Sequence, residues 1–433
     1  MAEAFSDQRR IESETIRKVG IRLVPFLVVC YFIAYVDRVN VGFAALTMNK
    51  DLGLTATAFG TGAALFFVAY VIFEVPSNLA LERFGARRWI ARIMISWGLV
   101  GLGSAFVTGA VTFSIARFLL GAAEAGFFPG VILYLTYWFP KAYRARIVAM
   151  FMVAIPVSSF LGSPLSAALL TLDGVGGLRG WQWLLICESI PALLLGLATL
   201  VVLPSRPAEA QFLTSEQKAW LEGCLEAERR AASAGHSGHG SVWSVLTNKQ
   251  VWLLAVIYSG SSATSNALSL WMPQILKSFG LSNLETGLLN MIPFGIASVF
   301  MIFWGLRADK SGERIWSTAL PLALTSLSLA LTLVLLSLVL LGNYSIKGPF
   351  FALVTETLSP AQAAAGIAAI NTLAHLGTGA ITSLIGVLRE QSGSFPVALL
   401  PLCVLTAVGC ALVFWIGRDR MRASVAVAPA PAR

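Results

Sequence analysis

Apolar runs of bilayer-crossing length recur along the chain from near Ile21 to near Ile416, separated by short polar segments. Crossing about 30 Å of hydrocarbon takes roughly 20 residues at the helical rise of about 1.5 Å. Twelve stretches meet that length, at residues 21–45, 57–81, 89–109, 111–138, 146–171, 183–203, 250–276, 285–306, 315–334, 337–357, 363–388 and 396–417. Only 12% of the 433 residues are charged, about half the share in an ordinary soluble domain. A water-soluble globular fold is excluded, and the chain reads as an all-α membrane protein. The opening segment Met1–Arg22 is polar and carries Arg9, Arg10, Arg17, Lys18 and Arg22. It lacks the short apolar core of a cleaved signal peptide, so the first helix is expected to remain in the mature chain.

The net charge of +9 would suggest nucleic acid as a partner of a soluble protein. Position argues otherwise. Alternate polar segments hold 24 Lys and Arg residues, and the opposite set holds only Lys50, Arg179, Lys277 and Arg389. Basic residues concentrate in cytoplasmic loops, so both termini are expected in the cytoplasm and no nucleic-acid partner is expected. Five cysteines are scattered without CxxC spacing and read as packing residues, with neither a disulfide framework nor a metal site.

The longest polar interruption, Pro204–Lys249, divides the spans six and six. Thr214, Ser215, Glu216 and Gln217 fit a capping box that opens a short amphipathic helix, followed by a Gly- and Ser-rich stretch. The expected organisation is a six-helix bundle at 1–203, a cytoplasmic helix and flexible linker at 204–248, a second six-helix bundle at 249–417, and a disordered cytoplasmic tail at 418–433. His236 and His239 in the linker lack the further ligands that a metal site needs; no metal or other cofactor is expected. A repeat supports the two halves. Glu82, Arg83, Gly85 and Arg87 recur as Asp309, Lys310, Gly312 and Arg314, an offset of 227 residues. Duplicated six-helix halves are a common transporter plan. In these loops a Gly turn would let charges at helix ends pair across neighbouring helices, clamping the inner face; a direct role in transport is the alternative. Arg314 to Ser359 leaves little length for two crossings, so the ninth and tenth spans are expected to be short or minimally connected.

Several longer motifs occur in order along nearly the whole chain: Tyr35-Val-Asp37-Arg38-Val-Asn40-Val-Gly42, Phe73-Glu74-Val-Pro76-Ser77-Asn78 with Gly85-Ala-Arg87, Arg117 through Gly121 and Glu124 to Pro129-Gly130, Gly180-Trp181-Gln-Trp183, and Lys347-Gly348-Pro349-Phe350. Together they resemble the anion:cation symporter family of the major facilitator superfamily, which includes bacterial permeases for tartrate, phthalate and sugar acids. The resemblance implies twelve transmembrane helices in two six-helix bundles, the major facilitator fold, and a monomeric inner-membrane, proton-driven carboxylate symporter working by alternating access.

Read from the residues themselves, Asp37, Arg38, Arg117, Glu124 and Lys347 all fall within apolar spans. Each would cost about 2.5–3.5 kcal/mol at the bilayer centre even on the lenient insertion scale, so they must face a polar cavity or one another. With both carboxylates ionised the set carries +1, which suits an anion. Arginine's planar fork fits a carboxylate in two parallel hydrogen bonds. The expected roles are substrate binding for Arg38, Arg117 and Lys347 and proton carriage for Asp37 and Glu124. Arg117 and Glu124, seven residues apart, are expected on one face of a continuous fourth span; the alternative is that each has a fixed partner on a neighbouring helix. Small residues around them, Gly121 to Gly130, allow close packing or room for substrate. Glu74 and Glu188 read as structural hydrogen-bonding groups. Tyr70 is either a donor to substrate or a core tyrosine. Asn371 and His375, four apart on one helix face, either touch substrate or pack in a polar seam. The expected function is proton-coupled import of a small organic anion, such as a hydroxy- or aromatic carboxylate or a sugar acid. Export or exchange of neutral or cationic compounds is the alternative, ahead of a membrane receptor or enzyme.

Overall fold

The computed structural model describes residues 2–234, 247–330, 336–357 and 360–427. The side chain of Asp309, together with His236 and His239, lies outside the described residues. Among the described residues the chain is helical with short connecting turns and no strand. The helices are α1 (Ala2–Asp51), α2 (Ala56–Phe84), α3 (Ala86–Ser104), α4 (Ala110–Glu124), α5 (Phe127–Thr136), α6 (Lys141–Leu169), α7 (Gly180–Val202) and α8 (Ser215–Ala234). They continue with α9 (Lys249–Lys277), α10 (Asn283–Ser311), α11 (Ile315–Ala330), α12 (Leu336–Ser345), α13 (Lys347–Thr357), α14 (Pro360–Ser392) and α15 (Phe395–Val427).

Nine described stretches are long and apolar enough to cross a membrane, and Ile315–Ser328 is a shorter apolar helix. α3 and α9 complete six rods on either side of α8, with α4 and α5, and α12 and α13, each forming one broken rod. Both are less apolar for a visible reason: α3 carries Arg87, Arg88 and Arg92 in its first two turns, and α9 carries the hydroxyl- and amide-rich run Ser261–Asn266. Val111, Val201 and Val299 lie 73%, 85% and 71% exposed on outward faces. A lipid environment accounts for such faces, because helices satisfy their own backbone groups and can present apolar side chains to hydrocarbon. The last helix continues to Val427, past the boundary near residue 418 expected from hydropathy.

The chain divides into two compact units, Met1–His239 with Ser269–Met291, and Gly240–Leu268 with Ile292–Arg433. In the first, α3 packs on α7, α2 on α4, and α1 on α6 and α7; Asn290 Nδ2 donates to Ser163 Oγ at 2.7 Å. In the second, α11 packs on α15 and α12, and α14 on α15. A core cluster there runs through Leu254, Ile257, Leu322, Phe350, Ile370 and Val413.

In both copies of the repeated loop motif a glycine with positive φ ends the helix. Gly85 (φ 85°) and Gly312 (φ 64°) end α2 and α10 in the left-handed region, and their N–H groups reach Leu81 O and Ala308 O at 2.9 and 3.1 Å. Glycine takes that conformation without a Cβ clash and closes the helix end. The charges do other work. Among the described side chains Glu82, Arg83 and Arg87 make no ion pair; Arg83 lies over the Phe84 ring at 5.6 Å, and Arg314 donates to Ala308 O at 3.1 Å. Lys310 is exposed.

α8 opens with the expected reciprocal cap: Thr214 N–H donates to Gln217 Oε1 at 3.2 Å, and Gln217 N–H to Thr214 Oγ1 at 3.3 Å. Lys18 of α1 also donates to Gln217 Oε1, at 3.1 Å. Glu228 accepts from Lys141 N–H at 2.7 Å and from Arg144 Nη2 at 2.9 Å. The amphipathic helix is thus docked on α1 and α6 of the first unit.

Candidate functional site

In the first unit, α1 brings Arg38 to Glu124, the last residue of α4. Arg38 Nε donates to Glu124 Oε2 at 3.0 Å, with Glu124 only 1% exposed. The guanidinium lies over the rings of Tyr35, Phe66 and Tyr70 at 5.1, 5.6 and 5.4 Å. Arg117, two turns before Glu124, is 6% exposed and sits over the same Phe66 ring at 4.8 Å. Two guanidiniums therefore share one aromatic ring, which solvates them partly through its quadrupole. Arg117 differs from Arg38 in having no ion pair among the described residues, and its Nε has no hydrogen-bond partner.

Asp37 points away from Arg38, as consecutive helical residues stand about 100° apart. Its Oδ1 accepts from Asn40 Nδ2 and its Oδ2 from Trp97 Nε1 of α3, both at 2.8 Å. Glu188 of α7, 3% exposed, accepts from Ser166 Oγ at 2.7 Å. Glu74 is 4% exposed and Tyr70 1%.

Two expectations change here. The fourth span is not one continuous helix: it breaks at Ala125 and Gly126, where Gly126 has φ 85° and a Cβ would strike the Ser77 side chain. Arg117 and Glu124 lie on the one helix α4, two turns and about 10.5 Å apart, and Glu124 has its partner on a neighbouring helix, Arg38 of α1. Gly121 serves close packing, since a Cβ there would meet Phe66 O. The charge count of +1 also omitted Glu74 and Glu188. The first unit buries four carboxylic residues, Asp37, Glu74, Glu124 and Glu188, against the two guanidiniums of Arg38 and Arg117.

In the second unit Lys347 opens α13 and is 5% exposed, its Nζ 4.5 Å from the centre of the Tyr344 ring. No described residue forms an ion pair with it. A polar seam lies one turn before it. Asn343 Nδ2 donates to Ser265 Oγ at 2.6 Å, Ser261 Oγ to Asn343 O at 3.1 Å, and Thr378 Oγ1 to Ser262 Oγ at 3.0 Å. Asn371 and His375 are half-buried on α14, on the same face as Thr378. Sequence reasoning passed over Asn343, whose signal was its place four residues before a lysine within an apolar span. It also missed Trp97, which nothing in the local sequence marks as the partner of Asp37.

The Major Facilitator Superfamily model matches residues 27–382. The chain belongs to the major facilitator superfamily. A "Putative tartrate transporter" of Agrobacterium vitis is 45% identical over 422 residues, covering 95% of this chain and 93% of that one. A "Quinolone resistance transporter" of Acinetobacter baumannii is 37% identical over 413 residues, covering 93% and 95%. Among solved structures, a bacterial homologue of the human lysosomal transporter Spinster has a TM-score of 0.74 at 13% identity, covering 95% of this chain and 98% of that one; at that identity the likeness speaks for the fold. The chain is thus a multi-pass membrane transporter of a small molecule and not an enzyme.

Proposed function

We propose that this major facilitator protein is a proton-coupled symporter of the bacterial inner membrane, importing a small organic anion by alternating access with both termini in the cytoplasm. The observation that carries the reading is Arg117, a guanidinium buried in an apolar helix with no ion pair among the described residues and an unused Nε donor. An arginine cannot shed its charge, and a buried charge is tolerated when paired and hydrogen-bonded. A carboxylate of the cargo supplies that pairing. Within the first unit Arg38 adds positive charge and Tyr70 a polar group; within the second, Lys347, Asn371 and His375 offer the same kinds of group. Glu124, paired with Arg38, is the proton carrier, and Asp37 its companion. When the anion takes up the field of the arginines, Glu124 binds a proton more readily, and by reciprocity the proton strengthens anion binding. A relative named for tartrate supports the carboxylate class, and one named for quinolone resistance supports export of a drug-like compound as the second reading.

Thermal stabilisation of the purified protein separates the two. A panel of hydroxy-, aromatic and sugar carboxylates is set against quinolones and neutral analogues. Stabilisation by one or more simple carboxylates is expected, and by RT ln(1 + [L]/Kd) it grows with ligand concentration. A response confined to the drugs or the neutral analogues would replace import of an organic anion with the exporter reading.

A further inference from the structure

We propose that Glu188 holds a proton in a second buried carboxyl site of the first unit, distinct from the Arg38–Glu124 pair and joined to Asp37 through Asn40. Three observations converge on it. Glu188 is 3% exposed and takes one hydrogen bond, from Ser166 Oγ to Oε1 at 2.7 Å, while its Oε2 is buried without a hydrogen-bond partner. The Oγ of Ser189, itself 0% exposed, is likewise unpartnered. A Cβ at Gly101 of α3 would meet Ser189 Oγ and lie 3.9 Å from Asp37 Oδ1, so the hydroxyl and the second carboxylate face the same small space.

The charge that Glu188 faces is of its own sign, that of Asp37. The helices packed on α7 here are α1, α3 and α6. α1 presents Asp37 and the amide of Asn40, which donates to Asp37 at 2.8 Å and also faces Glu188. α3 presents the indole of Trp97 and the glycine, α6 the hydroxyl of Ser166, and Cys187 neighbours Glu188 on α7 itself. No described basic group pairs with Glu188; the arginines face Asp37 and Glu124. An ionised carboxylate left in such surroundings costs far more than a protonated one, and two carboxylates sharing a site do not both ionise. A proton on Glu188 Oε2 removes the charge. Asp37 is then free to stay ionised, held by Trp97 and Asn40. The site does not depend on which cargo the transporter carries.

Infrared spectroscopy of the purified protein in detergent tests this without a transport assay. At neutral pH the wild type is expected to give the carbonyl stretch of a protonated carboxylic acid. The band should persist in Glu124→Gln, disappear in Glu188→Gln, and stay the same when sodium is exchanged for potassium. A band unchanged by Glu188→Gln overturns the proposal, as does one that appears only when sodium is withdrawn, which would mark an alkali-ion site. Should Glu188→Gln not fold, Ser166→Ala removes the hydrogen bond to Oε1 and is expected to shift the same band; no shift also overturns it. Exchange of organic acids by the same variants, assayed in proteoliposomes, keeps a failure of this site apart from a failure of the carboxylate reading.

Discussion

Arg38 and Glu124, 86 residues apart in sequence, meet at 3.0 Å between α1 and α4 inside the first unit, and each balances the other's charge. Removing one partner of a buried pair leaves the other charge uncompensated, at a cost of about 3–5 kcal/mol. Arg38→Ala should therefore lower the melting temperature in detergent sharply. Adding Glu124→Gln removes the stranded carboxylate, so the double variant should recover part of the loss. The coupling from the full double-mutant cycle is the readout, and purely additive effects would show that the pair does not act as a unit.

Gly121 is fixed by its neighbour's backbone. A Cβ there would run into Phe66 O of α2, and a backbone atom cannot swing aside as a side chain can. Gly121→Ala should cost roughly 1–3 kcal/mol, as overpacking does, and Gly121→Leu should prevent assembly of α2 on α4. Gly103, with open space around it, is the control: Gly103→Ala should leave the melting temperature within a degree or two or raise it slightly.

The α8 latch should contribute little. The Arg144–Glu228 pair is about a third exposed on each side (30% and 33%), and such pairs are worth roughly 1 kcal/mol or less. Glu228→Gln should leave exchange of cargo unchanged and shift melting only slightly. Tyr143 donates to Glu12 Oε1 at 2.9 Å, and that bond with the nearby carboxylate holds its phenol above the usual value. A raised value in the folded state stabilises the neutral form below the ordinary phenol range near pH 10. The contribution is thus present at neutral pH and lost as pH rises through the raised value. Tyr143→Phe should flatten that alkaline decline in melting temperature.

Much of this was legible in the sequence because hydropathy and charge act locally. Spans, the capping box at Thr214–Gln217 and the helix-ending glycines at Gly85 and Gly312 depend on residues a few positions apart, and each has the expected form apart from the broken fourth and tenth spans. The charged residues could be listed for the same reason, since a carboxylate or guanidinium in an apolar run stands out. Their partners could not. Glu124 pairs with a residue of another helix, Trp97 reaches Asp37 across 60 positions, and the break at Gly126 comes from the close approach of the Ser77 side chain. These are properties of tertiary packing, which no spacing along one helix encodes. Glu74 and Glu188, read as structural hydrogen-bonding groups, are buried in the unit that holds Asp37 and Glu124, and Glu188 accepts from Ser166 Oγ.

Arg117 is expected to be required for binding. Arg117→Ala removes the buried guanidinium while leaving the Arg38–Glu124 pair intact, so the protein should still melt cooperatively. Carboxylate affinity should fall by roughly two orders of magnitude or more, the scale of losing a buried charged hydrogen-bond partner. Lysine, a point charge without the planar fork, should restore only part of it. Affinity at the wild-type level in the alanine variant would remove Arg117 from the binding site.

The central claim is that the protein couples an organic anion to protons through Glu124, and gradient-driven uptake set beside exchange tests it most directly. Proteoliposomes are loaded with the carboxylate that stabilises the purified protein and assayed for exchange, then assayed empty for accumulation under an imposed inward proton gradient. Wild type should do both. Glu124→Gln, which imitates the protonated acid, should exchange at a comparable rate and fail to accumulate above the external concentration. Accumulation by Glu124→Gln equal to that of wild type, or by wild type without regard to the proton gradient, would contradict the account.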